Sequence, residues 1–81
     1  MKFTVYVLRS DKDGKLYIGQ TTNLNIRLKR HFKGDVKSTC HRRPLKLVYH
    51  EEFDSRYDAL KRERYFKSGP GKQFLKNKIT N

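Results

Sequence analysis

The chain has 81 residues, a length that allows a single domain with a thin hydrophobic core. Its net charge of +12 indicates a polyanionic partner, and we expect this partner to be nucleic acid, most simply DNA. The one cysteine, Cys40, excludes an internal disulfide, and the first apolar run is too short for a signal or membrane segment. We therefore expect a cytoplasmic protein with no membrane partner.

Alternating apolar and β-branched residues predict three strands, and apolar residues spaced by four predict the helices. The predicted elements are a strand over 2–10, a turn over 11–14, a strand over 15–19, a helix over 24–33, a basic loop over 35–44, a strand over 45–53, a helix over 56–67 and a short helix within 72–79. The order ββαβαα predicts an α+β domain over residues 1–81, with a small three-stranded antiparallel sheet flanked by helices.

The four-residue turn sets the register of the predicted hairpin. It pairs Leu8 with Tyr17 and Tyr6 with Gly19, and paired residues of an antiparallel ladder share a face. Tyr6 and Tyr17 then become diagonal neighbours about 7–8 Å apart. Because Gly19 has no side chain, we expect open space opposite Tyr6. Two phenols beside a gap suggest a site, although tyrosine is common in strands and Gly19 could simply end one.

The helix over 24–33 carries an expected apolar stripe and several cations. The stripe is Leu24, Leu28 and Phe32, and Arg27 and His31 flank it on one side. A guanidinium suits phosphate, and an imidazole exchanges protons near neutral pH. Further candidate nucleic-acid-binding residues on this helix and the following loop are Lys29, Arg30, Lys33, Lys37, Arg42 and Arg43. The alternative is a solvated basic surface.

One acid falls within the expected buried stripe of the next helix. Glu63 lies between Ala59, Leu60 and Phe66 along that stripe, where an unpaired carboxylate is costly. It could ligate Mg²⁺ or Mn²⁺, which take carboxylates together with phosphate oxygens and water. The alternative is an ion pair with Lys67 or with an arginine.

Together these residues resemble the GIY-YIG nuclease domain, in particular the short stand-alone members of its excinuclease C-subunit-like group. The resemblance covers about residues 3–77. The matching positions, in order, are Thr4-Val5-Tyr6, Tyr17-Ile18-Gly19, Arg27, His31 and Glu63. Thr4 stands where the family has glycine, and Asn77 is the candidate for the family's late asparagine.

The resemblance implies a metal-dependent endonuclease that hydrolyses DNA phosphodiester bonds with one Mg²⁺ or Mn²⁺. Glu63 would hold the metal, and Arg27 would stabilise charge on the scissile phosphate. Tyr6 would take a proton from the attacking water with help from His31, and Tyr17 would position water or phosphate. Arg27 and the metal would lower the pKa of Tyr6 or of the water. The alternatives are a nucleic-acid-binding module of the same fold with little or no catalysis, and a small basic protein of an RNA assembly.

Overall fold

The computed structural model describes residues 1–79 and has the predicted α+β architecture. Its elements are β1 (Phe3–Ser10), β2 (Leu16–Thr21), α1 (Leu24–Lys33), β3 (Leu45–Phe53), α2 (Arg56–Lys67) and α3 (Gly69–Ile79), with a short 3₁₀ turn at Cys40–Arg42. The sheet order is β2-β1-β3, so the first strand is the central one. Within the described residues, no helix is long and apolar enough to cross a membrane.

Both neighbours of β1 are antiparallel to it. In the hairpin, Tyr6 lies opposite Gly19 and Leu8 lies opposite Tyr17, which confirms the predicted register. On its other edge β1 pairs with β3, where Tyr6 lies opposite His50. The second strand also continues two residues beyond its predicted end, to Thr21.

The two faces of the sheet carry different residues. Helices α2 and α3 cover one of them, which we call the apolar face; its buried core consists of Val5, Val7, Ile18, Ala59, Phe66 and Leu75. Helix α1 covers the other, which we call the tyrosine face; its core consists of Tyr6, Leu8 and Leu45, with Tyr17, Leu24, Leu28 and Leu47 packed against it. This division follows from the alternation of side chains along each strand.

The buried stripe of α1 differs from the predicted one. Leu24 and Leu28 pack on the tyrosine face as expected, but Phe32 is exposed and His31 is fully buried. The imidazole finds hydrogen-bond partners inside the fold, which remove the cost of burying it. The prediction for α2 was likewise wrong at Leu60, which is exposed.

Helix α3 begins at Gly69, three residues before its predicted start. The Ser68 hydroxyl accepts a hydrogen bond from the Gly71 N–H at 3.3 Å, and Pro70 suits the first turn of a helix. A Cβ on Gly71 would lie 1.7 Å from the Tyr65 carbonyl oxygen. Glycine at this position therefore lets α3 start directly against the end of α2.

Candidate active site

The Tyr6 side chain is the centre of the tyrosine face. It is fully buried, and its hydroxyl lies 2.9 Å from Nε2 of His31. The Nε–H of Arg27 donates to the same hydroxyl at 3.2 Å. A Cβ on Gly19 would lie 2.5 Å from both the Cζ and the hydroxyl oxygen of Tyr6. The space expected opposite Tyr6 is therefore filled by the Tyr6 ring itself, which lies on the backbone of β2.

Three rings pack together around that hydroxyl. The Tyr17 ring centroid lies 6.3 Å from that of Tyr6 and 5.2 Å from that of His31. The centroids of Tyr6 and His31 lie 5.5 Å apart in an edge-on arrangement. The hairpin thus brings both phenols to one side of the ladder, and α1 brings the imidazole and guanidinium onto them.

A fifth side chain, Thr39, completes the hydrogen-bonded chain. Its hydroxyl lies 2.8 Å from Nδ1 of His31 and donates to the Val36 carbonyl at 3.5 Å. Because the threonine proton is directed at that carbonyl, its oxygen accepts from a protonated Nδ1. We therefore assign the tautomer in which Nε2 carries no proton and accepts from the Tyr6 hydroxyl. The sequence predicts Thr39 to lie in a basic loop, whereas in the fold its side chain is buried.

Burial sets the protonation states of this chain. It lowers the pKa of His31 to about 4, and the charges of Arg27 and Arg30 act in the same direction. Burial also raises the pKa of Tyr6, and this effect outweighs the hydrogen bond from Arg27, which lowers it. Hydrogen bonding to Tyr6 in turn raises the pKa of Arg27, which stays a cation. At neutral pH the site is therefore a neutral phenol donating to a neutral imidazole, beside one fixed positive charge.

Two of the six predicted nucleic-acid-binding cations have structural partners. Arg43 donates from Nη1 to the Lys33 carbonyl and from Nε to the Cys40 carbonyl, and so closes the carboxyl end of α1. Arg42 forms an ion pair with Asp13 at 3.6 Å. The other four side chains, Lys29, Arg30, Lys33 and Lys37, are exposed.

Glu63 lies on α2, and its side chain is 19% exposed. One carboxylate oxygen accepts from Lys67 at 2.9 Å, which is the ion pair considered above, and the other accepts from the Gln20 amide at 3.4 Å. Gln20 follows Gly19 in β2, so the two residues belong to opposite faces of the sheet. Glu63 and the Tyr6 ring thus lie on the two sides of the same edge strand.

Glu63 offers a single carboxylate, so a metal ion bound to it would have to be shared with a substrate. Within residues 1–79, no three His, Cys, Asp or Glu side chains form a metal-binding group, and no hydrogen bond or ion pair joins Glu63 to Tyr6, Arg27 or His31. Magnesium often takes one or two carboxylates and completes its coordination with phosphate oxygens and water. A single part-buried carboxylate at a strand edge fits that coordination.

The candidate late asparagine, Asn77, lies on α3 on the apolar side of the sheet. Its side-chain oxygen accepts from the Gln73 amide at 3.1 Å, within the same helix. This position is apart from the tyrosine face, because α3 packs mainly on α2 and β3.

Comparison with known proteins covers most of the chain. The protein-family model of the GIY-YIG catalytic domain matches residues 2–77 of this chain. A UPF0213 protein of Staphylococcus haemolyticus is 42% identical over 76 residues, which cover 93% of this chain and 92% of the relative. One from Pediococcus pentosaceus is 48% identical over 66 residues, covering 80% and 68%. The solution NMR structure of a UPF0213 protein from Bacillus halodurans is similar with a TM-score of 0.59 at 36% identity, covering 95% of this chain and 84% of that one.

Proposed function

The chain belongs to the GIY-YIG family, and on that premise we propose that it is a metal-dependent endonuclease that hydrolyses phosphodiester bonds in DNA. One observation carries the proposal: Arg27 and His31 both hydrogen-bond to the Tyr6 hydroxyl, with Tyr17 packed beside them. The net charge of +12 supports a phosphate-rich substrate.

Tyr6 and His31 would act together as the base. A phenol with a raised pKa is a poor base alone, because its phenolate is costly at neutral pH. In the tautomer assigned above, however, the Tyr6 proton points at the unprotonated Nε2 of His31, 2.9 Å from the hydroxyl oxygen. As the tyrosine oxygen takes a proton from the attacking water, it can pass its own proton to Nε2, so that no free phenolate forms. The water would reach Tyr6 from the side of Arg27 and Tyr17, which are only partly buried.

Substrate binding would make His31 a better proton acceptor. The positive charges of Arg27 and Arg30 contribute to the lowered pKa of His31. A phosphate bound to Arg27 offsets that charge, so the pKa of His31 should rise when substrate is in place. The relay is then most effective in the substrate complex.

Arg27 would bind the scissile phosphate. Its Nε–H is used by Tyr6, so the terminal amino groups of the guanidinium are those that would hold the phosphate oxygens. Negative charge increases on these oxygens as water attacks, and a fixed cation there stabilises the transition state more than the ground state. Tyr17, beside both rings, would help to orient the water or phosphate.

Glu63 would hold the divalent cation, which when bound supplies Lewis-acid polarisation of the phosphate and of its bound water. To bind the cation, the Glu63 carboxylate must give up its ion pair with Lys67. The Lys67 side chain is 56% exposed, so its ammonium can move into solvent.

Nicking of supercoiled plasmid with Mg²⁺ or Mn²⁺ tests the proposal. We expect Glu63→Gln and Arg27→Ala to abolish nicking while circular dichroism shows an unchanged fold. Asp58→Asn is the matched control, since it removes an exposed acid from the same helix and should leave nicking intact. Nicking by the wild-type protein in excess EDTA would contradict a metal-dependent mechanism.

A binding module without catalysis is the second candidate. The observations in its favour are the complete burial of Tyr6 and His31 and the ion pair that occupies Glu63. The same protein should be tested on branched, single-stranded and double-stranded DNA with both metals. Salt-sensitive binding to all of them without cleavage of any would establish this function in place of the nuclease.

A further inference from the structure

The outer side of α1 exposes two large apolar side chains. Ile26 is 57% exposed and Phe32 is 46% exposed, although the sequence predicted Phe32 to be buried. Both line a shallow surface depression of about 530 Å³, which we call the outer α1 surface; its other members are Lys29, Arg30, Lys33 and Asp35. An exposed aromatic ring and three cations therefore share one surface of the helix that carries the candidate catalytic residues.

We propose that the outer α1 surface binds unpaired nucleotides, with a base stacked on Phe32 and the adjoining phosphates held by Lys29, Arg30 and Lys33. The preferred substrate would then contain a single-stranded segment. This inference deepens the proposed nuclease function and rests on it for the step from bound ligand to substrate.

The residue types account for the choice of an unpaired strand. In a duplex, each base has its two faces covered by its neighbours, so an exposed ring on a protein surface cannot stack on them. An unpaired base offers its face freely, and stacking on an aromatic side chain contributes with little dependence on sequence. The three cations that line the same depression as the ring can hold the phosphates that flank such a base.

Position on the helix connects this surface to the candidate site. Arg27 and His31 lie on the inner side of α1, and Phe32 directly follows His31. The whole helix with its side chains is about 10–12 Å across. A strand bound along the outer surface therefore passes within a helix diameter of the guanidinium proposed to bind the scissile phosphate.

Charge argues against a second copy of the chain as the occupant. The surface has three cations and one acid, Asp35, and the chain has a net charge of +12. A symmetric contact would place the cations of both copies together, which is repulsive. A polyanion matches this surface where a copy of the chain does not.

A single tryptophan provides a direct probe, because the chain has none. We expect oligo-deoxythymidine of about 12 nucleotides, a length that covers such a site, to quench the fluorescence of Phe32→Trp. A duplex of the same length should quench it much less. Tyr57→Trp is the matched control; Tyr57 is an aromatic residue on α2 that is 69% exposed, with Lys61 over its ring. Quenching of Tyr57→Trp should be weak with both ligands.

Affinity measurements separate stacking from charge. Phe32→Ala should weaken binding of the oligonucleotide about tenfold, leave duplex binding unchanged and leave the salt dependence unchanged. Lys33→Ala should instead lower the slope of log affinity against log salt by about 0.7 for the single strand. Equal quenching by single strand and duplex, or an unchanged affinity of Phe32→Ala, would overturn the inference. Concentration-dependent dimerisation that Phe32→Ala abolishes would also overturn it.

Failure of this inference can be told apart from failure of the nuclease proposal. The fluorescence and affinity experiments are run in EDTA, so they measure binding without turnover. Metal-dependent nicking without selective quenching of Phe32→Trp would overturn the single-strand inference alone. Selective quenching without metal-dependent cleavage of any single-stranded, branched or double-stranded substrate would support the binding surface and overturn the nuclease proposal.

Discussion

The two faces of the sheet are covered in different ways. On the apolar face, the core is hydrocarbon and aromatic ring, and Phe66 lies within 6.0 Å, centroid to centroid, of the rings of Tyr49, Tyr65 and Phe74. On the tyrosine face, the buried volume includes an imidazole and a phenol joined by hydrogen bonds. Hydrocarbon burial stabilises the fold directly, whereas a buried titratable group is stable only while each partner remains in place.

Hydrocarbon burial and buried hydrogen-bonded titratable groups are thus divided between the two faces. A domain of this size can bury little, yet part of its interior holds His31 and Tyr6 rather than aliphatic residues. Charged side chains on the apolar face are instead neutralised locally. Arg62 donates twice to Glu51 and lies over three aromatic rings.

Removal of Phe66 should show how far the fold depends on the apolar face. Phe66→Ala should lower the free energy of unfolding by about 3–5 kcal/mol, because it deletes a fully buried ring and leaves a cavity. Urea denaturation followed by circular dichroism measures this loss. Leu60→Ala, at an exposed position of the same helix, should cost less than about 1 kcal/mol. Equal losses for the two variants would contradict the division between faces.

Acid should weaken the tyrosine face through His31. Its pKa is about 4 in the folded protein against 6.5 as the ordinary value, so the unfolded chain binds the extra proton first as pH falls. The contribution of neutral His31 to the free energy of unfolding is complete above pH 6.5. It is lost as the pH falls towards 4, and the loss is about 3 kcal/mol at most. Denaturation midpoints across this range measure it. His31→Gln should flatten the dependence, because it removes the group that takes up the proton.

A methyl group on Gly19 should disturb the tyrosine face specifically. Gly19→Ala places a Cβ 2.5 Å from the Tyr6 ring, so the ring must move, at a cost of about 1–3 kcal/mol. If the nuclease proposal is right, nicking should fall more than stability, because the hydroxyl leaves its position beside His31. Gly69→Ala is the control, since its Cβ would meet nothing within 4 Å. Full nicking activity in Gly19→Ala would contradict the placement of Tyr6 in the reaction.

The smallest effect is expected from a change of Thr39, which we propose positions the His31 imidazole. Thr39→Val removes the acceptor of the His31 Nδ1 proton, at a cost of about 1–2 kcal/mol in stability. The nitrogen-15 shifts of the imidazole should show a mixture of tautomers in this variant and a single tautomer in the wild type. Thr39→Ser, which keeps the hydroxyl, should restore the single tautomer; failure of this rescue would contradict the assignment.

The parts of the fold predicted correctly are those determined by local sequence. The hairpin register followed from a four-residue turn and the alternation of residues along two strands, both visible within 20 residues. The helix caps depend on equally local contacts: the Asn23 side chain accepts from the Ile26 N–H, and the Ser55 side chain accepts from the Asp58 N–H. The observed ion pair of Glu63 with Lys67 is the alternative that local spacing offered to metal binding, since residues four apart on a helix are neighbours.

The differences arise where contacts distant in sequence outweigh local pattern. Apolar periodicity treats His31 as polar and Phe32 as core, but His31 is stabilised by Tyr6, 25 residues away, and takes the interior position. The bond from His31 to Thr39 depends on how the segment after α1 folds back, for which the sequence has no simple signal. The Gln20 contact of Glu63 crosses 43 residues and could not be inferred from spacing.

The sheet order has a consequence for the newly made chain. Because β1 is both the earliest strand and the central one, it needs partners on both edges, and the second of these is complete only at Phe53. Until then Val5 and Val7 lie on a strand with an open edge and no helix from α2 or α3 over them. Translation that stalls before β3 should therefore release an aggregation-prone fragment, which chaperones would have to bind or proteases degrade.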